Sequence, residues 1–130
     1  MAALDRCQDV FVRALRKDGW RVRPHGKRLV SGRRIVTIDV LARKARRWIY
    51  VEIKCFPDPG DVDEQYHAIG QYLIYRAVLT ELGIAAVLYL ALPATMYQHI
   101  DSALQTVLKE QQVRYIVIDE AEEEIVQWIE

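Results

Sequence analysis

At 130 residues, 52% of them hydrophobic, the chain is long enough for one continuous core and too short for two ordinary domains. Charged residues make up 28%, and no Pro-, Gly- or Ser-rich tract points to disorder or a flexible linker. The longest apolar run, Ile84 to Ala94, falls short of the ~20 residues needed to span a bilayer. The first five residues lack the basic-then-apolar order of a secretory signal, so the expected location is cytoplasmic, with no membrane contact. Two cysteines, Cys7 and Cys55, cannot build a disulfide framework or a four-thiolate zinc site, and both read as small buried hydrophobes.

The formal net charge of zero conceals a polarity along the chain. Residues 1–54 hold 15 Lys/Arg against 5 Asp/Glu, a net +10, and residues 55–130 hold 3 against 13, a net −10. Such a basic half is the footprint of a surface that neutralises phosphates. It could equally balance the acidic half, within a monomer or across a homodimer.

In chain order, the apolar positions Leu4, Cys7, Val10, Phe11, Ala14 and Leu15 predict a helix from Leu4 to Lys17, ended by Asp18-Gly19. Short extended segments follow at Trp20 to Arg23 and around Leu29 to Val30. The β-branched run Arg34 to Leu41 and the run Trp48 to Phe56 predict two strands paired as a hairpin. Pro57 to Gly60 breaks the second strand, and a long helix runs from Asp63 to about Leu82 with Gly83 as its stop. Ile84 to Ala91 has the length and lack of alternation of a strand covered on both faces. A helix over roughly Thr95 to Glu110, a strand at Arg114 to Ile118 and a last strand at Ile125 to Ile129 complete an α/β reading, a mixed sheet flanked by helices.

The chemistry-bearing residues lie in the hairpin. Alternation along Trp48 to Phe56 places Ile49, Val51, Ile53 and Cys55 on one face and Glu52 with Lys54 on the other. A turn centred between Ala45 and Arg46 sets Asp39 opposite Glu52, with Cβ atoms about 5 Å apart. Two carboxylates so close raise one another's pKa, and a hard divalent ion such as Mg²⁺ or Mn²⁺ would relieve the repulsion. That ion would acidify a water for attack on a phosphodiester, with Lys54 stabilising the developing charge. Glu-x-Lys on a solvent-facing strand is also common, and Asp39 could simply accept backbone hydrogen bonds at a strand end.

Asp5 or Asp9, on the first helix, could add a further carboxylate. On the long helix Gln71 and Tyr75 are four residues apart and share a face. Gln71 could orient a water or a phosphate; Tyr75 could contact the nucleic-acid backbone, although an aromatic packing stripe of Tyr66, Tyr72 and Tyr75 is the plainer reading. His25, His67 and His99 share no metal-ligand spacing.

Asp39, Val51-Glu-Ile-Lys54 and the Gln71-x-x-x-Tyr75 helix motif resemble the PD-(D/E)XK nuclease superfamily, with Ile38 rather than Pro before Asp39. Ala14-Leu-Arg-Lys-Asp-Gly-Trp20, Val51-Glu-Ile-Lys-Cys-Phe56, Ala68-Ile-Gly-Gln-Tyr-Leu-Ile-Tyr-Arg76, Leu88-Tyr-Leu-Ala-Leu-Pro93 and Ile125-Val-Gln-Trp-Ile129 resemble the cyanobacterial XisH family of fdxN-element excision controlling factors, over nearly the whole chain. The resemblance implies one restriction-endonuclease-like domain over residues 1–130, with Asp39, Glu52, Lys54 and Gln71 in the catalytic site and Asp39 and Glu52 as Mg²⁺ ligands. It further implies action on DNA beside a site-specific recombinase and a small XisI-type partner during heterocyst differentiation. A non-catalytic DNA- or protein-binding module that keeps the fold is the alternative.

Overall fold

The computed structural model describes residues 2–24, 26–55, 58 and 60–130, with side chains from Cys7 onward. Helix α1 (Ala2–Lys17) turns at Gly19, whose φ of +96° suits a residue without Cβ, into the short strand β1 (Arg21–Arg23). β2 (Lys27–Ser31) and β3 (Arg34–Ile38) form a two-stranded antiparallel sheet of their own. β4 (Val40–Lys44) and β5 (Arg47–Ile53) form the next hairpin, and the long helix α2 (Val62–Glu81) follows, capped by the Asp61 carboxylate accepting the Glu64 N–H. β6 (Val87–Pro93), the short helix α3 (Ala94–Tyr97), α4 (Ser102–Glu110), β7 (Tyr115–Asp119) and β8 (Glu124–Ile129) complete the chain.

The main sheet is mixed, in the order β1-β4-β5-β6-β7-β8, with the β5-β6 and β6-β7 pairs parallel. One face carries α1: Phe11, Ala14 and Leu15 pack on Val40, Ala42, Ile49 and Val51. The other face carries α2, α4 and the β2-β3 hairpin, packed through Tyr72, Leu79, Leu108, Leu29 and Val36 onto Tyr50, Leu88 and Leu90. Residues 88–93 of β6 are all buried, as a strand sandwiched between helical layers requires. Among the described residues no helix is long and apolar enough to cross a membrane.

The β4-β5 register matches expectation, with Val40 opposite Val51 and Lys44 opposite Arg47. Three expectations need correction. Residues 34–41 are not one strand: the chain leaves the small sheet after Ile38, bends at Asp39 and enters the main sheet at Val40. Gly26 packs close against the start of this bend, where a Cβ would meet the Ile38 carbonyl oxygen at 2.9 Å. The helix expected over 95–110 is two, since Asp101 caps a new one by accepting the Leu104 N–H.

Third, Cys7 and Cys55 are not separate thiols but a disulfide tying α1 to the segment after β5, with Cα atoms 6.3 Å apart. The bond closes a 48-residue separation, so its removal is expected to lower stability by about 2–4 kcal/mol through the freed chain entropy. Urea denaturation of the oxidised protein beside Cys7→Ser reads that difference; equal midpoints would refute it.

Candidate active site

Glu52 is an acidic residue near the end of the buried stretch of β5. β5 lies between β4 and β6, and the register sets Glu52 beside Leu90, on the face shared with Tyr50. Only 3% of Glu52 is exposed, although ionised carboxylates rarely enter such surroundings unpaired. Its nearest charged neighbours come from the two strand ends around it. The Asp39 backbone N–H donates to Glu52 Oε1 at 3.1 Å, and the Asp39 carboxylate Oδ2 accepts the Ile53 N–H at 2.8 Å. Each acid therefore satisfies a backbone donor of the other's strand where the ladder stops.

The Lys54 backbone N–H bonds to the Ala91 carbonyl, extending the parallel pairing by one residue and fixing the base of its side chain. Lys54 Nζ then reaches 3.6 Å from Glu52 Oε2, with 17% of the side chain exposed. Burial, and after it the Asp39 carboxylate, push the Glu52 carboxyl up to about 8, against the opposing pull of Lys54. Glu52 thus stays largely protonated near neutral pH unless another positive charge arrives.

From α2, Gln71 Nε2 donates to the Tyr75 hydroxyl at 2.8 Å. The Tyr75 hydroxyl is pushed up by burial and then by the Glu52 carboxylate, which puts it within electrostatic reach of the acidic pair. Gln71 Oε1 is buried without a hydrogen-bond partner, an arrangement that ordinarily costs about 1–3 kcal/mol. Two carboxylate oxygens beside a lysine, with an orphaned amide oxygen on the facing helix, make a hard-donor set suited to Mg²⁺.

Asp39, Glu52, Lys54, Gln71 and Tyr75 therefore converge. Asp9 does not: it is exposed on α1, which packs on the opposite face of the sheet, and the Asp5 side chain lies outside the described residues. Among the described residues no cluster of three or more His, Cys, Asp or Glu could hold a metal, so the acidic pair stands alone. The tyrosines do not form one stripe. Tyr66 is 67% exposed, whereas the buried Tyr72 donates to the Leu88 carbonyl and accepts the Arg114 N–H. His99 bonds the Thr95 carbonyl, and His25 lies outside the described residues. Sequence reading passed over Gln65, which is buried on α2; a lone Gln on an amphipathic helix gives no signal of its burial.

The XisH protein family model matches residues 1–126. The chain belongs to the XisH family. The crystal structure of an fdxN element excision controlling factor protein from Anabaena variabilis superposes with a TM-score of 0.89 at 31% identity, covering 97% of this chain and 99% of that one. An XisH family protein from Nostoc punctiforme PCC 73102 superposes at 0.88 and 30% identity, covering 96% and 99%. No curated protein sequence matches the chain. The mixed sheet flanked by helices is thus the XisH fold, and this XisH chain carries the buried Glu52 on the interior strand β5, with Asp39 beside it at the bend before β4.

Proposed function

We propose that this XisH-family chain is a DNA-acting protein with a Mg²⁺-dependent, nuclease-like site of the PD-(D/E)XK type, working in the control of site-specific excision of a DNA element of the fdxN kind. The observation that carries this reading is the convergence of Asp39, Glu52 and Lys54 on one side of the sheet, two carboxyl groups and one ammonium around the buried Glu52. Mg²⁺ or Mn²⁺ held by Asp39 and Glu52 would neutralise the pair and acidify a water for attack on a phosphodiester. Glu52, released from its raised pKa, presents both oxygens while keeping the Asp39 N–H bond that orients it. Lys54 keeps a positive charge beside Glu52, where it stabilises the charge that develops on a reacting phosphate. Gln71, anchored through Tyr75, presents its free amide oxygen as an acceptor for a water. The chain acts as a single domain in the cytoplasm, with a recombinase and an XisI-type protein as partners and self-pairing of its basic and acidic halves as a route to a homodimer.

The reciprocal backbone hydrogen bonds of Asp39 and Glu52 also favour a second reading, in which the pair only staples the strand ends of a non-catalytic DNA- or protein-binding module. Incubating supercoiled and linear DNA with Mg²⁺ or Mn²⁺ separates the two. Nicking or cutting by the wild type that is lost in Glu52→Ala and Lys54→Ala is the expected result. Salt-sensitive binding without any cleavage would overturn the nuclease reading and leave the module.

A further inference from the structure

Beyond the buried Tyr50, the sheet face that bears Glu52 ends in an exposed row of side chains. In the antiparallel registers Arg21 lies opposite Arg43 and Arg43 opposite Trp48, so the three form one row across β1, β4 and β5. Alternation puts this row on the Glu52 face: Tyr50 and Leu41, one step further along, belong to the α2-side core, whereas Val22 and Ile49 pack toward α1. Trp48 is 41% exposed although β5 is an interior strand, and the Arg43 guanidinium lies 5.4 Å from its ring centre. Arg43 is held there by its Nε donating to the Ala45 carbonyl at 2.8 Å.

The Arg43–Trp48 contact is a favourable cross-strand pair, but the rest of the row is not what folding alone would select. Like charges directly opposite in a ladder are destabilising, and an exposed indole leaves apolar area in water. On the other face the neighbouring Arg47 is neutralised by Glu130 at 2.8 Å, but among the described residues Arg21, Arg23 and Arg43 form no ion pair. Arginines on the edge strand β1 would by themselves guard against edge-to-edge pairing. That purpose does not account for Trp48, two strands in from the edge.

Cationic groups that track a backbone, beside a partly exposed aromatic ring, are the parts of a single-stranded nucleic-acid site. We propose that the Arg21, Arg43 and Trp48 row is a subsite for an unpaired stretch of DNA, stacking one base on Trp48 and holding its phosphates on the arginines. The proposal deepens the reading of a DNA-acting site and rests on it for the identity of the strand.

The test is fluorescence anisotropy of a labelled thymidine homopolymer and a blunt duplex with the full chain in EDTA, so that binding is read apart from cleavage. The wild type is expected to prefer the single strand. Trp48→Ala is expected to weaken single-strand binding about tenfold, the worth of one stacked base, with Trp48→Phe restoring most of it. Arg43→Ala is expected to weaken binding and flatten its salt dependence. Unchanged single-strand affinity in Trp48→Ala, or sedimentation showing that a second copy of the chain covers the row, would overturn the proposal. Divalent-dependent DNA cleavage together with single-strand affinity untouched by Trp48→Ala would sink this subsite and spare the nuclease reading. Trp48-dependent binding without cleavage would do the reverse.

Discussion

Glu52→Gln is expected to raise the stability of the metal-free protein at pH 8 while abolishing divalent-dependent DNA cleavage. Both effects come from one proton. In the folded chain the Glu52 carboxyl is pushed up to about 8, against 4.5 when unperturbed. Between those values the folded state holds a proton that the unfolded chain has released, so stability falls as pH rises from about 4.5 toward 8. Below the lower value the contribution is fully present, and above the upper it is gone. Gln, neutral at every pH and similar in shape, removes this slope while leaving an oxygen to accept the Asp39 N–H. The gain at high pH is expected to be a few kcal/mol, each moving the melting temperature by roughly 3–5 °C for a chain of this size.

Mg²⁺ is expected to reverse the wild-type slope, because a cation binds the ionised carboxylates and stabilises whatever it binds. Cleavage by Glu52→Gln is expected to drop at least about a thousandfold, the rate equivalent of roughly 4 kcal/mol. Melting curves from about pH 5 to 9, with EDTA or Mg²⁺, check the first part. A wild type as stable at pH 8 as at pH 5 without metal would rule out the buried-proton account.

Why Glu52 was legible and its surroundings only partly so follows from the range of the interactions. Alternation along β5 and the position of the turn are local, and together they set Asp39 and Glu52 in register before any tertiary contact is known. The bend at Asp39 is not local. Val36 and Ile38 pack on the α2 side, whereas Val40 and Ala42, of the same parity, pack on the α1 side, so the chain rotates by half a turn between them. A run of β-branched residues looks the same whether it serves one core or two. The break before α4 did carry a signal, Asp101-Ser102 ahead of an apolar run, masked by good helix formers on either side.

The first helix shows a different limit. Its apolar stripe predicted a buried face and the structure has one, but a stripe does not say which face of the sheet receives it. α1 took the side away from Glu52, which removes Asp9 from the site and brings Cys7 to Cys55. The exposed Trp48 was likewise unreadable, since a Trp in a strand is ordinarily core.

Asp39 offers the sharpest separation of staple from site, because its carboxylate has two duties that different substitutions remove. Asp39→Asn keeps an oxygen for the Ile53 N–H, now bonded at 2.8 Å, and deletes only the charge. Asp39→Ala deletes both and leaves that N–H without its partner, at a cost of about 1–3 kcal/mol. The Asn variant is therefore expected to melt no lower than the wild type, and higher above neutral pH, since Glu52 loses one of the charges that raise its pKa. The Ala variant is expected to melt lower and to show faster hydrogen exchange at the Ile53 amide. If the acidic pair is a metal-dependent centre, both variants lose cleavage despite their opposite stabilities, and Mg²⁺ no longer stabilises either. If it is only a staple, Asn keeps wild-type DNA binding and Ala loses it through folding. An Asn variant that retained wild-type cleavage would remove Asp39 from the chemistry.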